Sequence, residues 1–445
     1  MNISPWNALV QLGQSISSLR SAARAPVLPG PEAPPPGEPR APQEPRPEQL
    51  LVLDDGHRSF QRRFDRVCQE RIAPRAKEAD RTGVLPKESW NDLVDAGYLA
   101  LFHPPAWGGS GADGVTQAIA MESLARACAS TFWAVSISAV LCGKILHNLC
   151  APQHHQRWLR PIVAGQKIGC FAATEEGAGS DPGSYRATVR QTTQGLRLRG
   201  EKSRVSNATT ADVAVVLARG DAATGQGLCY VVVDLHRRGI HRKEQPKLGL
   251  SAMSWGTIAF DDVEIAPEDV IVNASMDRTL QSVEWGQLLQ TWCAVGLAEA
   301  ALDACREHVL KRHAFGRPIA HLQVVHARLA DMRAEIDAAR LLAMDVSWRK
   351  GRGDIARESV MMAKIYATEM AVEVADGAMR TFAGWGYSKD HIVERLYRDS
   401  LANVPAGLPT DRLRELLACS MVGVDPWGYE PFDWLTPAGL RIDGP

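Results

Sequence analysis

The sequence predicts an α+β fold made of a helical N-terminal domain, a middle antiparallel β domain and a C-terminal helical bundle. Apolar residues recur with helical spacing over residues 50–165, and again in longer stretches over 275–422. Between them, residues 166–274 contain short runs rich in β-branched residues, each bounded by turn-forming residues. No helix-length segment separates these runs, which argues against a parallel sheet with crossover helices.

Residues 1–49 and 423–445 are expected to lie outside these domains as a leader and a tail. The leader contains ten prolines from Pro26 to Pro47, which predict an extended linker because proline cannot join a helix or a central strand. Before the linker, residues 7–24 could form a short basic amphipathic helix. Two interpretations of this segment are open. It is a docking helix or mobile leader of a cytoplasmic protein, or it is a mitochondrial transit peptide.

The N-terminal domain is predicted to begin with a helix from His57 to about Asp80. Pro74 should kink this helix because it lacks an N–H donor. A second helix follows, and Asp113 is expected to cap the next one. Residues 127–149 form an apolar helix whose serines and threonines favour a place in the core over a membrane span.

The middle domain is predicted to be a sheet of about 100 residues. Its strands are short, and each ends at Gly, Asp, Asn or Pro. The six predicted strands are 168–174, 186–191, 195–200, 212–218, 228–234 and 256–263. Because neighbouring strands are joined by turns rather than by helices, antiparallel pairing is expected throughout.

The C-terminal domain is predicted to be a bundle of antiparallel helices. The first long helix ends near Arg312, and the second covers residues 324–350. A break at Gly351–Gly353 follows, and Asp354 is expected to cap a third helix that ends before Ala383. Two shorter helices complete the bundle, at 391–403 and 410–422, the latter capped by Thr410.

The overall charge and the cysteines exclude several classes of function. Lys and Arg number 50 and Asp and Glu 51, so the formal net charge of −1 does not suggest a nucleic-acid binder. Nine cysteines are scattered without a CxxC pair or a cluster with histidine, so no metal site is expected. Their distribution indicates reduced thiols in the cytoplasm.

Four segments together resemble the acyl-CoA dehydrogenase superfamily, over roughly residues 55–420. They occur in the family's order and spacing: Phe171-Ala-Ala-Thr-Glu-Glu-Gly-Ala-Gly-Ser-Asp181, Lys202-Ser-Arg-Val-Ser-Asn-Ala208, Arg312-His-Ala-Phe-Gly-Arg317 and Glu394-Arg-Leu-Tyr-Arg-Asp399. The resemblance implies the family fold, an N-terminal helical domain, a middle β domain and a C-terminal four-helix bundle. It also implies non-covalently bound FAD and assembly as a homodimer or homotetramer.

The glycine-rich turn after the first strand is the first predicted FAD-binding segment. Gly177 and Gly179 allow backbone N–H groups to converge on an anion or a ring carbonyl, and Ser180 adds a hydroxyl. The resemblance implies that Thr174 contacts the flavin ring. It places Gly179 and Ser180 at the pyrophosphate or the substrate.

The second segment carries Ser206, which corresponds to a family hydroxyl that hydrogen-bonds flavin N5. The family often has a tryptophan two residues earlier, where this chain has Arg204. A guanidinium plane can also stack on an aromatic ring. The resemblance therefore makes Arg204 a flavin contact and leaves the redox potential open.

The third segment carries residues that, by resemblance, reach the FAD of a neighbouring subunit. These are Arg312, Phe315 and Gln323. The arginine suits a pyrophosphate because its guanidinium offers paired donors. Gly384 lies in another segment that approaches the pyrophosphate in the family.

The resemblance also implies a catalytic carboxylate, and both usual positions lack one. Most family members have Glu before a glycine in the loop after the Tyr-Arg-Asp motif, and this chain has Ala406 there. A minority use a helical position 29 residues before the phenylalanine of the third segment, which is Gly286 here. No base can be assigned from these two positions.

Three acids are weaker candidates for the base. Glu284 lies two residues before Gly286, which is about 200° around a helix, so it is expected to face away from the site as a solvated acid. Asp411 is expected to stabilise a helix start. Asp399 corresponds to a structural aspartate of the family.

The resulting prediction is an FAD-dependent oxidoreductase that acts on an acyl thioester, borne by coenzyme A or by a carrier protein. It would introduce a double bond between the α and β carbons and pass electrons to an unidentified acceptor. One alternative is a flavoprotein of the same fold that catalyses a non-dehydrogenating reaction, such as cyclisation on a carrier-bound thioester. The other is a non-catalytic relative.

Overall fold

The computed structural model describes residues 53–221, 227–271 and 276–422. Their elements follow the predicted order of helices, a β-sheet and helices again. The predicted leader, with its amphipathic segment and proline-rich linker, and the predicted tail lie outside the described residues.

The helices before the sheet form a continuous helical layer, interrupted by short π-helical and 3₁₀ segments. They are α1 (Asp55–Val67), α2 (Ala76–Thr82), α3 (Lys87–Asp95), α4 (Gly114–Ala127), α5 (Ala129–Ser136), α6 (Gly143–Leu149), α7 (Pro152–His154) and α8 (Arg160–Val163). Pro74 lies in a 3₁₀ turn between α1 and α2, which confirms the predicted break. Asp113 accepts hydrogen bonds from the N–H groups of Val115 and Thr116, so the predicted cap is also confirmed.

The apolar helix of the N-terminal domain belongs to the protein core. Within the described ranges, one helix, Ala129–Leu149, is long and apolar enough to cross a membrane. Of its apolar window, 89% is buried inside the protein. A core position is therefore confirmed for this helix.

The middle domain is one eight-stranded sheet. Its strands are β1 (Gly169–Ala172), β2 (Thr188–Thr192), β3 (Gly195–Ser206), β4 (Val213–Gly220), β5 (Gly227–Asp234), β6 (Ile240–Glu244), β7 (Trp255–Ile265) and β8 (Val270–Ile271). The order across the sheet is β6-β7-β3-β2-β4-β5-β8, with β1 paired to β4. The sequence missed β6 because it lies at an edge and its side chains are mostly exposed, so it has no apolar alternation.

The prediction of purely antiparallel pairing is wrong at two places. Strand β1 pairs with β4 in parallel, with Gly169 opposite Val213, and β2 also pairs with β4 in parallel, with Thr188 opposite Arg219. Both strands reach β4 through non-local connections rather than through a hairpin. Strand direction across such connections depends on packing, which residue patterns do not specify.

Within residues 276–422, five helices follow the sheet and form the predicted bundle. They are α9 (Met276–Lys311), α10 (Gln323–Gly351), α11 (Arg357–Phe382), α12 (Ile392–Leu401) and α13 (Thr410–Val422). Between α9 and α10, β9 (His313–Ala314) and β10 (Arg317–Pro318) form a small ribbon.

The predicted cap at Asp354 is wrong, because α11 begins three residues later with Ala356 at its N-cap. Residues 354–356 have no regular secondary structure. The Ala356 nitrogen lies 3.5 Å from Glu284 Oε2, so the N-cap residue contacts a carboxylate of another helix.

Helix α9 is the central element of the described structure, because it packs against α4 as well as α10, α11 and α12. The contact with α4 is close at Gly296. A Cβ atom on Gly296 would lie 2.6 Å from the Cβ atom of Ala125 and 2.7 Å from the nitrogen of Arg126. Only glycine lets the two backbones approach this far, so the helical domain and the bundle share one core.

Two histidines of the N-terminal domain are expected to make stability fall at acid pH. Burial lowers the pKa of His103 to about 3 and that of His147 to about 4. Their folded-state pKa values lie below the ordinary 6.5, so the unfolded chain takes up more protons as the pH falls below 6.5. As the pH falls below 6.5, each histidine lowers the free energy of unfolding by up to about 1.4 kcal/mol per pH unit, until the pH reaches its folded-state pKa.

This prediction can be checked by urea unfolding between pH 7.5 and 4.5. The variant His147→Gln should show a shallower dependence of the unfolding free energy on pH. The exposed His313→Gln serves as the matched control. Equal pH dependence in the wild type and His147→Gln would contradict the expected contribution of His147.

Candidate active site

A cavity of about 640 Å³ lies between the sheet and the helical bundle. Its wall includes residues from β3, α5, α9 and the loop between α12 and α13. The sequence-predicted site residues that line it are Thr174, Gly179, Ser180, Arg204, Ser206, Glu284, Gly286 and Ala406. Segments that are distant in sequence thus meet at one cavity.

The glycine-rich turn leaves open space at the cavity. Glu175 and Ala178 exchange two backbone hydrogen bonds of 3.1 Å, which close the turn. Gly177 has a φ of 80° that favours glycine, and no atom lies within 4 Å of a Cβ placed on Gly177 or Gly179. The turn therefore has room for a bound group against its backbone.

A buried ion pair fixes this turn to strand β3. The Nζ atom of the fully buried Lys202 lies 2.6 Å from Glu175 Oε1 and donates to the Ala173 carbonyl at 2.8 Å. Burial raises the pKa of Glu175, but hydrogen bonds from Lys202 and the backbone of Ala187 and Arg186 outweigh it and hold the pKa below its usual range. Sequence reasoning missed this pair, because a lysine on a strand is normally solvated.

Arg204 and Ser206 lie at the end of β3, where the pairing with β7 is irregular. Arg204 has a positive φ of 56°, which is uncommon for a residue with a side chain. Its Nη1 atom lies 3.1 Å from Glu176 Oε2. The guanidinium lines the cavity and is held by an acid of the glycine-rich turn.

The expectation that Glu284 is a solvated acid facing away from the site is wrong. Only 3% of Glu284 is exposed, and it lines the cavity. Its Oε2 accepts a hydrogen bond of 2.5 Å from Lys350, while its Oε1 is buried without a hydrogen-bond partner among the described residues. Helix α9 is surrounded by other helices, so the side that faces away from Gly286 is not in solvent.

The two usual base positions also line the cavity. A Cβ on Gly286 would lie 3.2 Å from Leu141, so the space beside it is partly filled. The Ala406 carbonyl accepts a 2.5 Å hydrogen bond from Lys364, which also donates to the Leu408 carbonyl. Burial lowers the pKa of Lys364 to about 7, and its ammonium group ties this loop to α11.

The other two candidate acids do not line the cavity. Asp399 is buried, its Oδ1 accepts a 2.5 Å hydrogen bond from the Leu250 N–H, and burial raises its pKa to about 6. It holds the chain between β6 and β7 against α12. Asp411 lies in the first turn of α13 with an exposed carboxylate.

The three residues predicted to reach a neighbouring subunit, and Gly384 of the predicted pyrophosphate segment, lie outside the cavity lining. Arg312, Phe315, Gln323 and Gly384 are all exposed. Phe315 is 90% exposed and has a φ of 53° in the turn between β9 and β10. Within the chain, these residues do not meet the cavity.

Three models of acyl-CoA dehydrogenase domains match the chain. The N-terminal domain matches residues 54–166, the middle domain residues 170–263 and the C-terminal domain residues 276–421. These matches follow the helix, sheet and helix order of the structure.

Individual proteins show the same likeness over most of their length. The chain is 30% identical to a 3-(aryl)acrylate reductase of Clostridium sporogenes, over 78% of this chain and 94% of that protein. It is 31% identical to the caffeyl-CoA reductase-Etf complex subunit CarC of Acetobacterium woodii, over 72% and 86%. The structure of butyryl-CoA dehydrogenase from Megasphaera elsdenii superimposes with a TM-score of 0.79 at 25% identity, over 83% of this chain and 99% of that chain.

Proposed function

The chain belongs to the acyl-CoA dehydrogenase superfamily and is a flavoenzyme with FAD as its cofactor, and we propose that it removes hydrogen from the α and β carbons of an acyl thioester. One observation carries the proposal. Among the described residues that line the cavity, only Glu284 has a carboxylate side chain. Its Oε1 is buried and without a hydrogen-bond partner, as a group that takes a proton from a substrate needs to be.

The residues at the cavity fit FAD. The hydroxyls of Thr174, Ser180 and Ser206 line it, and the open backbone at Gly177 and Gly179 can accept a pyrophosphate or a ring edge. When bound there, FAD supplies an acceptor for the hydride that leaves the β carbon.

The chain's own part in the reaction is to take the α proton. Glu284 Oε1 is the acceptor, and Lys350 holds the other carboxylate oxygen at 2.5 Å, which fixes the direction of the carboxylate. The wall of the cavity is largely apolar. A bound substrate therefore displaces water from it, and solvent does not compete with Glu284 for the α proton. Acid-base help of this kind typically accounts for about 10² to 10⁴ in rate.

The partners proposed for the enzyme follow from its relatives. The thioester is borne by coenzyme A, with a carrier protein as the alternative. Because one relative is a subunit of an Etf complex, an electron-transferring flavoprotein is the proposed acceptor. The described cysteines are free thiols, which supports a cytoplasmic location.

The test is anaerobic mixing of the FAD-loaded enzyme with a panel of acyl thioesters, followed by flavin absorbance. Bleaching, with formation of the α,β-unsaturated thioester, supports the proposal. A new product without bleaching would point to a non-dehydrogenating reaction instead. A protein that cannot be loaded with FAD at all would overturn the assignment.

Replacing Arg312 with Ala is expected to weaken FAD retention and to loosen a homodimer or homotetramer. We propose that Arg312, Phe315, Gln323 and Gly384 contact the FAD of a neighbouring subunit, because all four are exposed and distant from the chain's own cavity. Gel filtration at falling protein concentration, with the flavin-to-protein ratio of each peak, measures both effects. The exposed Arg306→Ala, in the last turns of α9 shortly before Arg312, is the matched control.

A further inference from the structure

A second unpartnered polar group lines the cavity besides Glu284. Gln290 is 5% exposed, and its Oε1 atom is buried without a hydrogen-bond partner among the described residues. It lies four residues after Gly286 on α9, so it continues the same helix face by one turn. A buried amide oxygen with no partner destabilises the empty protein, whereas a leucine of similar size would not.

The loop between α12 and α13 makes room for this amide. Gly407 has a φ of 64°, and a Cβ placed on it would lie 2.9 Å from Gln290 Nε2. The amide therefore packs on the backbone beside Ala406, at the cavity wall. The loop between α12 and α13 leaves space for Gln290 but does not provide a hydrogen-bond donor to its Oε1 atom.

The unsatisfied atoms at this wall are acceptors. Among the described residues, both Gln290 Oε1 and Glu284 Oε1 lack hydrogen-bond partners, whereas the Lys350 ammonium group already donates to Glu284 Oε2. Arg357 also lines the cavity, and the negative charges of Glu284 and Glu358 act on its guanidinium. This part of the wall is therefore suited to a ligand that brings a hydrogen-bond donor rather than a negative charge.

We propose that the acyl group of the substrate carries an O–H or N–H donor that Gln290 accepts, so that the substrate is a hydroxyacyl or aminoacyl thioester rather than a plain hydrocarbon one. This inference rests on the proposed function, because it takes the acyl group to occupy this cavity. A hydrocarbon chain would leave the amide oxygen unpaired in the complex, and a site built on a buried polar group discriminates against such a ligand.

The experiment compares coenzyme A thioesters of matched length on the FAD-loaded enzyme without an electron acceptor. The panel contains butyryl-CoA, its 3- and 4-hydroxy and 4-amino derivatives, and a 4-methoxy derivative whose ether oxygen offers an acceptor only. Dissociation constants come from calorimetry, and flavin bleaching is recorded separately. The best donor-bearing thioester should bind about tenfold more tightly than butyryl-CoA, and the 4-methoxy compound should gain nothing. The hydroxyl and amino members decide between the two donors.

Two variants assign the preference to Gln290. Gln290→Leu should bind butyryl-CoA and the donor-bearing thioester about equally well. Its melting temperature should not fall, because the substitution removes an unsatisfied buried group. Gln290→Glu keeps an acceptor and should retain the preference. An unchanged preference in Gln290→Leu would overturn the inference. So would tighter binding of butyryl-CoA by the wild type, or binding of the 4-methoxy compound as tight as that of the donor-bearing thioesters. If butyryl-CoA bleaches the flavin without any preference, this inference alone fails; if no thioester binds or bleaches, the proposed function fails.

Discussion

Glu284→Gln is expected to slow anaerobic reduction of the bound FAD by an acyl thioester by about 10²- to 10⁴-fold. The amide keeps the size of the carboxylate and can still contact Lys350, but it cannot take a proton. Since Glu284 has the one carboxylate lining the cavity among the described residues, no neighbouring acid can replace it there. Stopped-flow absorbance of the flavin measures the rate constant directly.

Controls for Glu284→Gln separate a lost base from a damaged fold. Glu264→Gln changes an exposed acid of the sheet and should leave the rate unchanged. Ala406→Glu, introduced into Glu284→Gln, places a carboxylate at another point of the cavity wall and should restore part of the rate. If Glu284→Gln reduces its flavin as fast as the wild type, the base is another group and Glu284 is a structural partner of Lys350.

Arg340→Met is expected to lower the free energy of unfolding by about 3–5 kcal/mol. Arg340 is 4% exposed and its Nη2 atom lies 2.9 Å from Glu122 Oε1 and 2.6 Å from Glu299 Oε2. It connects helix α4 of the N-terminal domain with α9 and α10 of the bundle. Without the guanidinium, two buried carboxylates lie close together with less compensating positive charge.

Urea unfolding of the FAD-loaded protein measures this effect. Arg349→Met, on the same helix, breaks an exposed pair with Asp345 and should cost less than about 1 kcal/mol. The triple change of Glu122→Gln, Glu299→Gln and Arg340→Met should recover much of the loss, since it removes the buried charges together. A loss below about 1 kcal/mol for Arg340→Met alone would show that the carboxylates are satisfied by other groups.

The elements that the sequence predicted correctly depend on local interactions. Asp113 caps α4 because its carboxylate reaches N–H groups two and three residues ahead, which is a property of the local chain. Pro74 interrupts the first helix because it lacks a donor wherever it lies. The family, and with it the fold and cofactor, could be inferred because four motifs occur in a fixed order.

The candidate site was predicted in part. Thr174, Ser180 and Ser206 do meet at one cavity, although they come from two different segments. Their contacts with FAD remain a prediction, as does the contact of Arg312 with a neighbouring subunit. Helical geometry alone predicts that Glu284 faces solvent, because it lies about 200° around the helix from Gly286. The prediction is wrong because other helices cover that side of α9.

The sequence by itself determined the order of the three domains, the family and the absence of a carboxylate at the two usual base positions. These follow from the local period of apolar residues and from the identities of residues at fixed spacings. Only the tertiary structure decided that Glu284 is buried beside Lys350, that Gln290 Oε1 has no hydrogen-bond partner within the described ranges and that β1 and β2 run parallel to β4. Each of these depends on which elements pack together across long stretches of chain. The free energy of a charged or polar group is set by those neighbours rather than by its own position in the sequence.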